Sequence, residues 1–203
     1  STTMANMGII YTSSPVFIII LSVFLFREKI SVNRINGLII CLVGVITIIT
    51  KGNINYLIDF RFTSGDFWML GAAIGWALYS IYLLNWKSKF SLMARFTLIA
   101  MFGTISLFPF YILEEIFYFN TAFNSNFLFW VLFAAVSPGI IAFTLYTRVQ
   151  KYLGASLTGF TLYIFSIYSA IYGIILFDEA LLNFHYFGAA FVFAGVYLAR
   201  KIT

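Results

Sequence analysis

The sequence predicts an all-α polytopic membrane protein, a helical bundle that contains an inverted-topology repeat. Three observations carry this. The 203-residue chain is 62% hydrophobic and 9% charged, with a mean hydropathy of +0.98, against roughly 25% charged residues in ordinary soluble domains. Apolar runs long enough to cross about 30 Å of hydrocarbon recur along its whole length. Finally, a unit made of Phe26-Arg27-Glu28, Gly37 and Gly44-Val45 recurs as Phe177-Asp178-Glu179, Gly188 and Gly195-Val196, every position displaced by the same 151 residues without a gap. A repeat of this kind in an apolar chain is the pattern of a transporter built from two related halves.

Seven spans are predicted, running roughly over 4–26, 35–50, 67–86, 96–113, 127–147, 155–177 and 184–200. Arg27 to Asn33 separates the first from the second. Lys51 to Asp66, with Gly52, Asn53, Asn55 and Gly65, separates the second from the third. Lys87 to Arg95, Glu114 to Asn126, Arg148 to Lys151 and Asp178 to Asn183 punctuate the rest. The second and seventh spans are short and need flanking aromatics or local thinning of the bilayer to cross.

Charge sets the orientation. With sides alternating across seven spans, Arg27, Lys29, Arg34, Lys87, Lys89, Arg95, Arg148, Lys151, Arg200 and Lys201 fall on one side, and only Lys51 and Arg61 on the other. By the positive-inside rule the ten mark the cytoplasm. The protein is therefore expected to be multi-pass in the cytoplasmic (inner) membrane with a cytoplasmic C-terminus. Glu28 and Glu179 are then separated by five spans, so the two copies of the repeat point in opposite directions. That is the arrangement from which alternating access arises.

Other functions find little support. The net charge of +5 sits in short loops between spans, which argues for topology and against nucleic acid. Cys41 is the single cysteine and lies inside an apolar run, so no intrachain disulfide forms. No metal-ligand spacing, Ser/His/Asp set or phosphate-cradling glycine loop is visible, which argues against an enzyme, a resident cofactor and ATP-driven transport.

The run Pro15-Val16-Phe17 to Leu25-Phe26-Arg27-Glu28, followed by Gly37 and Gly44-Val45, resembles the helices that close each half of the EamA type of the drug/metabolite transporter superfamily. The second copy keeps Leu176, Glu179, Gly188, Gly195 and Val196, and Tyr152-Leu153-Gly154-Ala155-Ser156 resembles the approach to its first helix. Trp76-Ala77-Leu78-Tyr79 resembles the opening helix of a family half. Ser166 stands where Pro15 stands in the first copy.

The resemblance implies five plus five spans. Residues 1–52 would be the last two helices of the first half, 53–66 a linker, and 67–203 a complete second half, with three further spans expected upstream of Ser1. It implies a secondary carrier that moves a small metabolite or drug-like molecule; the alternative is a transport-incompetent remnant or accessory membrane subunit. The expected partners are the lipid bilayer and a small-molecule substrate, and self-association into a homo-oligomer is compatible with the sequence.

It also implies a central cavity lined by the first, third, fifth and sixth spans. On those helices Trp76, Tyr79, Tyr163, Ser13, Ser14 and Ser166 are the chosen candidates. Trp76 offers a stacking or cation–π surface, and the hydroxyls offer neutral hydrogen bonds. Glu28 and Glu179 read as corner-forming groups at helix ends, since a corner is needed twice and a binding site once. Gly37, Gly44, Gly188 and Gly195 read as close-packing positions, as do Gly71 and Gly75. Pro138-Gly139 is expected to disrupt the fifth span, and His185 is expected at the interface.

Overall fold

A computed structural model describes residues 4–53, 55–58, 62–85, 87–117, 124–177 and 180–201. All the regular elements among them are helical: α1 (Met4–Tyr11), α2 (Ser14–Phe26), α3 (Val32–Ile49), α4 (Asn55–Ile58), α5 (Ser64–Asn85), α6 (Leu92–Phe117), α7 (Ser125–Ala134), a π-helical segment (Ala135–Ala142), α8 (Phe143–Gly159), α9 (Thr161–Phe177) and α10 (Asn183–Ala199). Among the described residues, five stretches are long and apolar enough to cross a membrane: Met7–Phe26, Val32–Ile49, Ser64–Asn85, Leu92–Phe117 and Ser125–Gly159. Thr161–Leu176 and Asn183–Ala199 are shorter apolar helices.

Helix ends differ from the sequence reading by a few residues, as where α6 takes in Arg95 and Glu114, and two differences change the course of the chain. The first span is interrupted at Thr12-Ser13, because Pro15 has no N–H for the Tyr11 carbonyl and its ring crowds that carbonyl. The Thr12 and Ser13 hydroxyls turn back instead onto the carbonyls of Ile9 and Ile10. Arg148 to Lys151, expected as a loop, is helical and continues into Gly159. The bend comes later, at Gly154 (φ 80°, ψ 167°), a conformation essentially restricted to glycine. The sixth span therefore starts as the tail of α8 and resumes as α9 after a turn at Phe160, whose N–H bonds the Leu157 carbonyl at 3.1 Å.

The chain forms two compact units, one of residues 1–82 and 153–203, the other of residues 83–152. The core of the first unit contains Ile19, Leu38, Cys41, Val45, Phe160, Tyr163, Val192 and Ala199. Its main seam is α3 against α10. A Cβ on Gly37 would lie 2.5 Å from the Gly195 carbonyl oxygen, and one on Gly44 would lie 2.6 Å from that of Gly188. The converse distances, Gly195 to the Gly37 oxygen and Gly188 to the Gly44 oxygen, are 2.5 and 2.8 Å. The four repeat glycines thus let two backbones touch, the small-residue packing used where lipid supplies no hydrophobic drive. The helices run antiparallel, since rising numbers in α3 meet falling numbers in α10.

In the second unit, the Arg95 guanidinium donates to the carbonyls of Phe90 (3.2 Å) and Leu83 (2.9 Å), tying the connection into α6 to the end of α5. Phe96 of α6 stacks on Phe143 of α8 at 5.1 Å. The π-helical segment is centred on Pro138: with no proline N–H the regular ladder fails, and a wider turn takes its place. The disruption expected at Pro138-Gly139 is thus a widening of the helix.

Candidate functional site

The corner between α2 and α3 is built around Glu28. α2 ends with Arg27 in the left-handed conformation (φ 53°), and the Glu28 N–H bonds the Ser22 carbonyl at 3.2 Å. The carboxylate is engaged at both oxygens. Oε1 meets the Arg34 guanidinium at 3.1 Å, and Oε2 accepts the Ser156 hydroxyl at 2.9 Å. Ser31 caps α3 by accepting the Arg34 N–H at 3.3 Å. One side chain therefore holds the end of α2, the start of α3 and the tail of α8. Asp178 and Glu179 lie outside the described residues, so the second corner is not placed.

The two α5 candidates, Trp76 and Tyr79, are half-buried neighbours one helical turn apart, with ring centroids 5.5 Å apart and planes at 42°. Ser13 lines a cavity of about 400 Å³ with Ile9, Ile10, Phe17, Leu57, Phe62 and Leu70. Ser166 lines a second one of about 220 Å³ between α1, α3, α9 and α10. Ser14 and Tyr163 are fully buried, and Tyr163 sits in the core beside Phe160 with ring centroids 6.0 Å apart. The six chosen residues are thus spread over two cavities, one helix face and the core. Gly37, Gly44, Gly188 and Gly195 are buried in the seam, and Pro15 is buried at the start of α2. Gly71 and Gly75, by contrast, have no neighbour within 4 Å of a built Cβ.

Among the described residues, the buried hydroxyls of Ser14, Ser22 and Tyr163 meet no hydrogen-bond partner. Such groups are costly unless water or a ligand meets them.

Some contributors were not singled out from sequence. Ser156 was read only as part of a motif, and its bond to Glu28 joins positions 128 residues apart, which no local pattern reveals. Ser169 could have been found, as it lies one turn beyond Ser166 and lines the same cavity. Asp66, read as linker, is buried and caps α5 by accepting the Thr63 N–H (2.7 Å) and hydroxyl (3.0 Å). A Thr-x-x-acid spacing before an apolar run announces that cap.

Comparison with known proteins fits this architecture. An uncharacterized transporter of Methanothermobacter thermautotrophicus is 25% identical over 181 residues, covering 88% of this chain and 51% of that protein. The chain thus spans about half the length of this curated relative. One solved crystal structure superposes with a TM-score of 0.73 at 19% identity, covering 98% of this chain and 68% of the other, and shows the shared fold. The family model described as the EamA-like transporter family matches residues 1–50 and 63–200. With both matched segments rich in apolar helices, this is an integral membrane protein, and it belongs to the EamA-like transporter family.

Proposed function

We propose that the chain acts as a secondary carrier, moving a small metabolite or drug-like molecule across the cytoplasmic membrane by alternating access. The observation that carries this is the seam: Gly37 meets Gly195 and Gly44 meets Gly188, so each repeat position meets the counterpart of the other. A self-complementary contact of this kind belongs to a two-fold relation between inverted halves. Rocking such halves about their seam would open a binding site first to one side and then to the other.

Trp76 and Tyr79 supply the stacking face for substrate in this reading, with Ser13 and Ser166, each lining a cavity, as candidate polar contacts, whereas Ser14 and Tyr163 stay within the packed core. The half boundary falls within 53–66, a division supported by the interval between the two matched segments. The ten-to-two distribution of Lys and Arg supports a cytoplasmic C-terminus.

Reconstitution into vesicles tests the proposal. Saturable flux of a labelled metabolite, lost in Trp76→Ala and kept in Trp76→Phe, is the expected result; no flux across a broad metabolite panel would sink it. A non-transporting accessory subunit is the second reading. It is favoured by α6, on which no residue is buried, and co-purification of a stoichiometric membrane partner without flux would establish it.

A further inference from the structure

The geometry points to a recognition site for a small organic carboxylate in the cavity of about 220 Å³ where α3 ends and α10 begins, apart from the aromatic face of α5. Its placement on the outer side rests on the orientation proposed above.

The first support is Lys51. α3 closes with the Lys51 N–H on the Ile48 carbonyl (3.1 Å) and the Gly52 N–H on the Thr47 carbonyl (2.9 Å). That is the double bond pattern whose left-handed residue is normally glycine. Here it is Lys51, at φ 54°. Arg27 closes α2 in the same conformation (φ 53°); what sets Lys51 apart is that it lines the cavity. Among the described residues it has no carboxylate partner; Asp178 and Glu179 fall outside them.

His185 supplies the second donor. Its Nδ1 accepts the Leu182 N–H at 3.1 Å, so in the neutral ring the proton resides on Nε2, which remains a donor. The imidazole lies against Phe184, with centroids 4.1 Å apart. Ser166 and Ser169, one turn apart on α9, add two hydroxyls to the same lining, and Phe165 and Phe184 supply flat apolar wall.

No acidic side chain lines this cavity among the described residues. One cation, a ring N–H and two hydroxyls suit an oxyanion, which accepts several hydrogen bonds at once. The aromatic walls suit an apolar body behind it. The volume lies below the roughly 300–1,000 Å³ of drug-sized sites, so the ligand is small.

The test uses the purified chain in lipid nanodiscs, with benzoate as probe and benzyl alcohol and benzylamine as its neutral and cationic counterparts, read by calorimetry. Benzoate should bind saturably and the other two should not. Lys51→Gln should weaken benzoate by about tenfold or more, Lys51→Arg by no more than about threefold, and the Ser166→Ala/Ser169→Ala double variant by an intermediate factor. Each variant's melting temperature without ligand verifies its folding. Benzylamine binding as well as benzoate, an unchanged Lys51→Gln, or no benzoate binding to a folded protein would each overturn the site. Vesicle flux without benzoate binding would overturn the site and leave the carrier standing; benzoate binding without flux would do the reverse.

Discussion

Cys41 and Val192 are counterparts in the two repeats, and they touch: the Cys41 Sγ lies 3.4 Å from the Val192 carbonyl oxygen across 151 residues of chain. A residue meets its own counterpart only where a two-fold axis passes between them. The glycine pairs on either side of this contact are exchanged by that same axis.

The seam should be intolerant of a single methyl group. Gly37→Ala would put a Cβ 2.5 Å from a backbone oxygen and 2.8 Å from the Ala199 Cβ, neither of which can move aside alone. Destabilisation of about 1–3 kcal/mol is expected. Gly71→Ala and Gly75→Ala meet nothing within 4 Å and should stabilise α5 by about 0.5–1 kcal/mol each. Thermal melts in one detergent would compare all three, and a Gly37→Ala as stable as Gly75→Ala would refute the seam.

Gly154 isolates the cost of backbone conformation from that of space. Its φ of 80° is paired with open surroundings, nothing lying within 4 Å of a built Cβ. Gly154→Ala should therefore destabilise by about 1–3 kcal/mol through the backbone alone. Thermal melts of this variant against the parent check it, and a Gly154→Ala as stable as the parent would mean that the torsion is dispensable.

The Glu28 corner should behave as a coupled pair of contacts. Arg34 and Glu28 side chains are 17% and 33% exposed, so screening limits their ion pair to about 1 kcal/mol or less. The Ser156 hydroxyl is buried, and its loss in Ser156→Ala should cost about 1 kcal/mol. Combined with Glu28→Gln, the two losses should fall short of additivity. Strict additivity in a double-mutant cycle would mean that the two contacts are independent.

Restoring one N–H should narrow the wide turn in the fifth span. Pro138→Ala would give the Ala134 carbonyl an amide partner four residues on, converting Ala135–Ala142 from π- toward α-helix. Hydrogen exchange over this segment should slow. If exchange is unchanged, the widening has a cause other than the proline.

Sequence periodicity was enough to find the repeat, its inversion and the reason for its glycines, because a seam in lipid depends on side chains small enough to be absent. It also marked Glu28 as a corner residue, since its neighbours Arg27 and Lys29 announce a helix end. The tail of α8 escaped it. Arg148 and Lys151 look like a loop by charge, yet Arg148, Gln150 and Lys151 cost a helix nothing when its backbone bonds stay within the segment, and the true bend is set by one glycine torsion. Tyr163 and Ser166 are three residues apart, yet one is sealed in the core and the other lines a cavity; helix phase alone does not say which neighbour covers which face. The bond from Ser156 to Glu28 was equally hidden, because it depends on where α8 arrives in space.

The Cys41–Val192 contact has a consequence for how such a chain could have begun. Contacts exchanged by a dyad are those that two separate, identical polypeptides make when they insert in opposite orientations and meet face to face. The line between α3 and α10 has the symmetry of a boundary between two such subunits. Proteolysis between residues 53 and 62 should therefore leave the two pieces held together in the membrane, parting only when the glycines along that line are enlarged.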